Sequence, residues 1–282
     1  MVADVLKQLI TALLVLMVSA VAFTALTLAV RGRAAMRLKT RAAAEFHLNL
    51  RWYFVDAICI APLIVLAAGA VRLFIRQYSL DILSEDTWHT LGPAITAPAA
   101  VFIGDGIGYW RHRFEHTRWI WPAHAIHHSD TEMKWLTLAR FHPINRLTTG
   151  CIDGCVLTIC GLPLWAVAVN ELVRHFYGEF IHADVPWTYG KLGSLFVSPV
   201  MHQWHHARDV VGAGSNFATV FSVFDRVFGT HYMPGPCNVP LGVTDDVGTS
   251  LWRQLLFPFT CWFKQVRGFL TSRRPHTRPS EG

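Results

Sequence analysis

The sequence predicts an all-α integral membrane protein, a helical bundle in the bilayer that carries a histidine-rich helical cap on its cytoplasmic side. Three observations predict it. Hydrophobic residues make up 52% of the 282 positions and charged residues only 16%, against about a quarter charged in ordinary globular proteins, and the mean hydropathy is +0.32. Uncharged runs reach membrane-crossing length. Lys and Arg gather in alternate connecting segments, as the positive-inside rule requires of cytoplasmic loops. So apolar a composition excludes a disordered chain. The net charge of +6 flanks apolar runs instead of forming a polar stripe, which argues against a nucleic-acid partner. Fifteen histidines and eleven tryptophans stand out against this background.

Residues 8–30 hold no charge, and 23 residues of helix exceed the roughly 20 that cross a bilayer. Arg31, Arg33, Arg37, Lys39, Arg41 and Arg51 follow this run. A cleaved signal peptide has its basic residues before a shorter apolar region, so the order favours a retained first helix with its N-terminus outside. Trp52–Val71 reads as a second crossing, bounded by Asp56 near one end and Arg72 at the other. Residues 77–89 carry Asp81, Glu85 and Asp86 but no Lys or Arg, as a non-cytoplasmic loop would. Thr87–Gly104 is a weaker third candidate, interrupted by Pro93, Pro98 and glycines. The chain is then back on the cytoplasmic side, where Arg111, Arg113, Arg118, Lys134, Arg140 and Arg146 follow.

Leu147–Ile181 is divided by Pro163 into two legs of about 16–18 residues, each roughly 25 Å as helix. Such a hairpin leaves one face of the membrane and returns to it. Leu251–Val266 mixes basic and bulky apolar residues and reads as an interfacial amphipathic segment. The tail SRRPHTRPSEG reads as disordered. Cys59, Cys151, Cys155, Cys160, Cys237 and Cys261 form no CxxC and read as small core residues, neither disulfides nor a zinc knuckle. The organisation expected is membrane helices over 1–104, a histidine-bearing domain over 105–234 that includes the hairpin 147–181, and an interfacial C-terminal segment with its tail over 235–282.

The histidines form an ordered set. His112 and His116 lie four apart in HRFEH and share a helix face. His124, His127 and His128 follow in HAIHH, and His202, His205 and His206 repeat that spacing in HQWHH. In each triplet the first ring sits one turn from an adjacent pair that straddles the face. Eight such rings near a membrane are expensive without metal or water, and the number suits two metal ions better than one four-coordinate zinc. Imidazole alone leaves zinc, copper, iron and nickel open. His47, His89, His175 and His276 are isolated and read as structural.

These residues resemble the fatty acid hydroxylase superfamily, in particular its sterol desaturase-like membrane proteins. The blocks that carry the resemblance span about 105–234: DGIGYWRHRFEH, WPAHAIHHSDTEMKWLTLARFHP, IHADVPW, VSPVMHQWHHARD and NFATVFSVFDRVFGT. The resemblance implies a non-haem di-iron site of two Fe ions on the cytoplasmic face, with O2 as co-substrate, that hydroxylates or desaturates a lipid. It implies His112, His116, His124, His127, His128, His202, His205 and His206 as metal ligands, with His182 of IHADVPW as a ninth. His142 of RFHP matches a recurrent histidine and is carried as a ligand or as a group just behind one. Asp105, seven residues and two turns before His112, either orients a ligand or is a helix-end polar residue. His231 stands where relatives often carry Tyr and is left out.

A site built from His112–His128 and from His182–His206 requires residues 147–181 to return to the face they left. No GxGxxG or haem-attachment motif occurs, so electrons are expected from an external donor, a ferredoxin, cytochrome or reductase. The expected substrate is a membrane lipid: sterol-like, fatty acyl or another isoprenoid. The rival readings are a membrane di-zinc hydrolase and a metal transporter or sensor. A transporter needs ligands along the bilayer midplane, whereas these boxes lie in basic, extramembrane-looking sequence.

Overall fold

The computed structural model describes residues 2–32, 40–209 and 214–272. The basic positions Arg33, Arg37 and Lys39, His276 and the tail from residue 273 lie outside the described residues. Among the described residues the structure is helical, and its β pairing is an isolated bridge between Ala207 and Leu241.

Helix α1 (Val2–Arg31) is followed by α2 (Thr40–Val55), a π turn (Asp56–Ile60) and α3 (Ala61–Gln77). The last three form one rod. Leu9–Arg31 and Ala42–Gln77 are long and apolar enough to cross a membrane. Their outward faces are bare hydrocarbon, with Val21 67% and Leu73 73% exposed. Such faces mark a membrane protein, because water-soluble monomers rarely show large contiguous apolar patches.

The rod begins well before Trp52, where the sequence placed a crossing. Its first half belongs to the cap. Leu48 and Trp52 are buried against Ala125 and Ile126. Asn49 donates to Asp130 Oδ2 at 2.7 Å and accepts from Arg140 Nε at 2.6 Å. Those partners satisfy Asn49, a polar residue inside the packed part of the rod.

The expected third crossing is likewise divided. Ser84 caps α4 (Glu85–Leu91), accepting from the Thr87 N–H at 3.3 Å. Gly92 (φ +74°) then turns the chain into α5 (Pro93–Glu115). At that φ an L side chain is strained and glycine is not. The 23 residues of α5 run from this turn to the first histidine box.

Helix α6 (Trp121–His128) and a 3-10 turn (Trp135–Ala139) belong to the cap. Helices α7 (Pro143–Ile159) and α8 (Leu164–His182) are the two legs on either side of Pro163, and α5 packs against both. Their joining turn touches the acidic loop: Ile82 N–H donates to Ile159 O at 2.7 Å and Trp88 Nε1 to Cys160 O at 2.8 Å. The legs therefore run the length of the bundle and back. At α8, a Cβ on Gly104 would lie 2.1 Å from Asn170 Oδ1 and one on Gly108 1.9 Å from Arg174 Nη2. These two glycines let polar side chains of α8 lie flat on α5.

The cap closes with α9 (Pro199–His205), α10 (Val223–Val227) and α11 (Leu251–Ser272). Helix α11 packs on α6 and α2 and turns a continuous apolar stripe outward. The stripe comprises Trp252, Leu256, Phe259, Phe263, Val266 and Leu270, with Trp252 74% exposed. That i, i+4, i+7 spacing is the pattern of a helix lying in a membrane interface.

Candidate metal centre

Four helices bring their C-terminal turns to one place. Helix α5 supplies His112 and, at its C-cap, His116. Helix α6 supplies His124, His127 and His128, and α8 ends on His182. Helix α9 supplies His202 and His205, with His206 as its C-cap. Local sequence sets these ends: Pro122 starts α6, and Ser198 caps α9 by accepting from Met201 N–H at 3.2 Å, with Pro199 as its first residue. Each converging C-terminus carries a partial negative charge, which favours a cation where they meet.

The nine rings fall into two adjoining groups. One holds His112, His116, His124, His128 and His205, the other His127, His182, His202 and His206, and within each group a ring nitrogen of every member lies within 4.8 Å of the others. Each adjacent pair is split, His127 from His128 and His205 from His206. Burial holds the pKa of all nine below the ordinary value, His182 and His205 at about 4. Neighbouring histidines add to the effect for most of them. The rings are therefore neutral, the form that ligates a metal.

The donor set fits metal ions. His124 Nε2 lies 3.0 Å from His112 Nε2 and 3.1 Å from His128 Nε2; His182 Nε2 lies 3.2 Å from His127 Nε2 and 3.0 Å from His202 Nε2. His112 Nδ1 faces Phe217 O at 2.8 Å, His182 Nδ1 faces Gly178 O at 2.6 Å and His205 Nδ1 faces Ser215 O at 2.5 Å. A carbonyl accepts, so each of these Nδ1 atoms keeps the proton and each Nε2 presents a lone pair. Nε2 of His116, His205 and His206 is buried without any hydrogen-bond partner, which costs about 1–3 kcal/mol per group if nothing binds there. A ligand nitrogen sits about 2.0–2.1 Å from zinc, so two ligands at right angles are about 2.9 Å apart and two at the tetrahedral angle about 3.3 Å. The observed spacings fall in that range.

A loop behind the rings fixes two of them. Residues 215–221 provide the carbonyls that meet His205 and His112, and three side chains pin the loop. The Asp105 carboxylate accepts from the N–H groups of Thr219, Val220 and Phe221 at 3.1, 3.0 and 2.8 Å. Asp225 accepts from Phe217 and Ala218 N–H at 2.7 and 3.0 Å. Asn216, in the left-handed region at φ 59°, donates to Met201 O and Tyr232 O. Glu115 Oε2 lies 3.5 Å from His124 Nδ1, and Arg111 holds Glu115 at 3.0 Å. Asp105 thus reaches a ligand through the loop backbone and not directly. The roles of Asp225, Asn216 and Glu115 went unassigned in the sequence, although Asp225 and Asn216 lie inside the NFATVFSVFDRVFGT block.

His142 lies apart from both groups. Its Nδ1 caps α7 by accepting from Ile144 N–H at 3.2 Å, and its Nε2 donates to Leu255 O at 3.2 Å. His231 pairs with Arg226, whose Nη2 donates to its Nε2 at 3.0 Å.

Among the described residues, a cavity and a cleft reach the rings. A cavity of about 190 Å³ runs between the π turn, α5, α7 and α8 to His112, His124, His127, His182 and His202. A cleft of about 170 Å³ on the cap reaches His116, His128 and His205 beside Trp121 and Asp245.

Residues 97–230 match the family model described as fatty acid hydroxylase. The chain is similar to an ornithine lipid hydroxylase of Rhizobium tropici, 30% identical over 154 residues, which are 54% of this chain and 46% of that protein. It is similar to an alkylglycerol monooxygenase of Danio rerio, 30% identical over 174 residues, 59% of this chain and 38% of that protein. It is also similar to a very-long-chain aldehyde decarbonylase of Oryza sativa subsp. indica, 33% identical over 133 residues, 45% of this chain and 48% of that protein. The matched segments therefore span less than half of each of these relatives. No solved structure matches. The matched segment contains all nine clustered histidines, and over it the chain is similar to the fatty acid hydroxylase family.

Proposed function

We propose that the protein is a membrane-bound non-haem di-iron oxidoreductase that hydroxylates or desaturates a lipid with O2 and externally supplied electrons. The observation that carries the reading is the pair of adjoining, buried, neutral imidazole groups at the end of a cavity between membrane helices. The ligands would be His112, His116, His124, His128 and His205 for one iron and His127, His182, His202 and His206 for the other. Iron bound there supplies the chemistry of O2 reduction and C–H oxidation. The chain's own residues do the rest. Nε2 lone pairs face inward because backbone carbonyls hold the Nδ1 protons of His112, His182 and His205. The loop 215–221, held by Asp105 and Asp225, keeps two of those carbonyls in place. The cavity between α7 and α8 presents the lipid to the rings and shields them from bulk water.

The cap is assigned to the cytoplasmic side. Arg31, at the end of α1, pairs with Asp184 beside the cap at 2.7 Å, whereas Asp81, Glu85 and Asp86 lie at the other end of the bundle, which supports that orientation. The stripe on α11 supports a cap seated in the interface. Substrates named for the relatives are lipids, and an ether lipid, acyl lipid, sterol-like or other isoprenoid lipid is the class assigned here. Electrons would come from a separate ferredoxin, cytochrome or reductase.

Lipid mass spectrometry of cells expressing the protein under ¹⁶O2 and ¹⁸O2 tests this function. A product gaining one labelled oxygen means hydroxylation, and one losing two hydrogens without label means desaturation. A product that forms without O2, on a protein loaded with zinc, would sink the proposal in favour of the hydrolase.

A further inference from the structure

The cap turns a second apolar face outward, and turns build most of it. Residues Gly190–Ser194 form a 3-10 turn between α8 and α9. Gly193 O accepts from the Ser222 hydroxyl at 2.9 Å and from Arg226 Nη2 at 3.1 Å, which ties this turn to α10. Together they present Leu192, Leu195, Val227 and Phe228 to the outside, Val227 70% and Leu192 63% exposed. Trp110 of α5 is 51% exposed and continues the face, its ring centre 4.8 Å from that of Phe228. Turns facing water are built from small and polar residues, and so contiguous an apolar set marks a contact surface.

Continuity, depth and charge identify what covers it. The face runs on into the outward side of α5, where exposed Phe102 packs on Phe221 and Phe224 with ring centres 5.4 and 5.0 Å apart. Helix α5 starts at Pro93 beside the acidic loop at the far end of the bundle. Counted from there at about 1.5 Å per residue, Trp110 lies about 26 Å and Arg113 about 30 Å along the axis, against a hydrocarbon core about 30 Å thick. Trp110 therefore stands at the depth where tryptophans line a membrane edge, and Phe228 stands beside it. The rim is cationic. Lys191 adjoins Leu192, Arg226 adjoins Val227, and the Arg113 guanidinium lies over the Trp110 ring at 5.4 Å. Arg113 donates to the Tyr109 hydroxyl at 3.3 Å and Arg226 to His231 at 3.0 Å, and among the described residues no carboxylate forms an ion pair with any of the three. Unpaired basic groups beside an apolar surface at this depth suit anionic headgroups.

We propose that this face is a second seat of the cap in the bilayer, separate from α11. Leu192, Leu195, Val227 and Phe228 enter the headgroup region, and Arg113, Lys191 and Arg226 hold the phosphates of anionic lipids. The partner is the membrane surface itself, independent of the metal centre and of the lipid that is oxidised.

Nitroxides on Leu192→Cys and on Val227→Cys test it, in the full chain reconstituted in vesicles of phosphatidylcholine and phosphatidylglycerol. Collision accessibility is read against the unaltered chain given the same treatment. Both labels are expected to meet O2 from the lipid more often than a water-soluble nickel chelate. Free access of the chelate would overturn the proposal, and so would shielding from both reagents, the mark of a second copy or another protein on this face. The two labels sit on different turns, so a poorly folding variant at one leaves the other to decide. Native mass spectrometry of the chain released from detergent reads the charges. Phosphatidylglycerol is expected to be retained over phosphatidylcholine, and Arg113→Gln and Lys191→Gln are each expected to lower that preference about fivefold, with metal content unchanged. Equal retention of the two lipids, or a preference that survives both substitutions together, would also overturn it.

Discussion

Replacing Asp105 by Asn isolates what the loop behind the rings contributes. The carboxylate accepts three backbone N–H groups, two of them on Oδ2 and one on Oδ1. An amide oxygen in the Oδ2 position keeps two of these bonds, but the amide NH2 then faces Thr219 N–H. One buried donor without an acceptor costs about 1–3 kcal/mol, and the two remaining bonds lose their charge assistance, roughly half their strength. The loop 215–221 is thereby loosened by about 2–4 kcal/mol. It supplies the carbonyls that orient His112 and His205, both in the five-histidine group, and neither carbonyl serves the four-histidine group. Loss of such an outer partner lowers metal affinity by about 10–100-fold. A chelator titration of metal-loaded protein reads this directly. In Asp105→Asn one metal per chain is expected to leave at about 10–100-fold lower chelator than in the unaltered protein, while the other leaves at the original concentration. Loss of both metals together, or a titration identical to that of the unaltered protein, would refute the assignment of Asp105 to one group through the loop.

Three further outcomes are expected. His142→Ala removes the α7 cap, costing about 0.5–2 kcal/mol in thermal stability, but leaves metal content intact, whereas His182→Ala lowers it; metal loss in His142→Ala would return that residue to the ligand set. Gly161→Ala meets Leu83 O at 1.8 Å at φ +73°, so it destabilises by more than about 1 kcal/mol, and an unchanged melting temperature would refute the close packing of the hairpin turn on the acidic loop. A nitroxide on Phe263→Cys is expected to report the depth of the lipid headgroups in collision-accessibility measurements. Full aqueous exposure there would contradict an interfacial α11.

The histidine boxes were legible because helix spacing is a local property. Rings three and four apart share a face whatever surrounds them, and an adjacent pair must diverge, as His127 and His128 do. His182 required the resemblance, since a lone histidine at a helix end has no local signature. His142 shows the limit: in RFHP a histidine followed by proline also suits a helix start, and only its Leu255 and Ile144 partners reveal which role it takes. The boundaries of the second crossing were hidden for a related reason. Asn49 is polar in sequence and buried in the fold, because Arg140 and Asp130, some eighty to ninety residues away, satisfy it. The cavity was hidden too. Each of its residues reads as an ordinary loop or helix-face residue until α7 and α8 are placed around α5.

Sharing of two metal ions among nine histidines is read by iron analysis of protein loaded with ferrous iron without O2, combined with Mössbauer spectroscopy after exposure to O2. Two irons per chain and a magnetically coupled pair are expected, with His128→Ala and His202→Ala each lowering the iron content. One iron per chain, uncoupled and insensitive to one of the two substitutions, would contradict it.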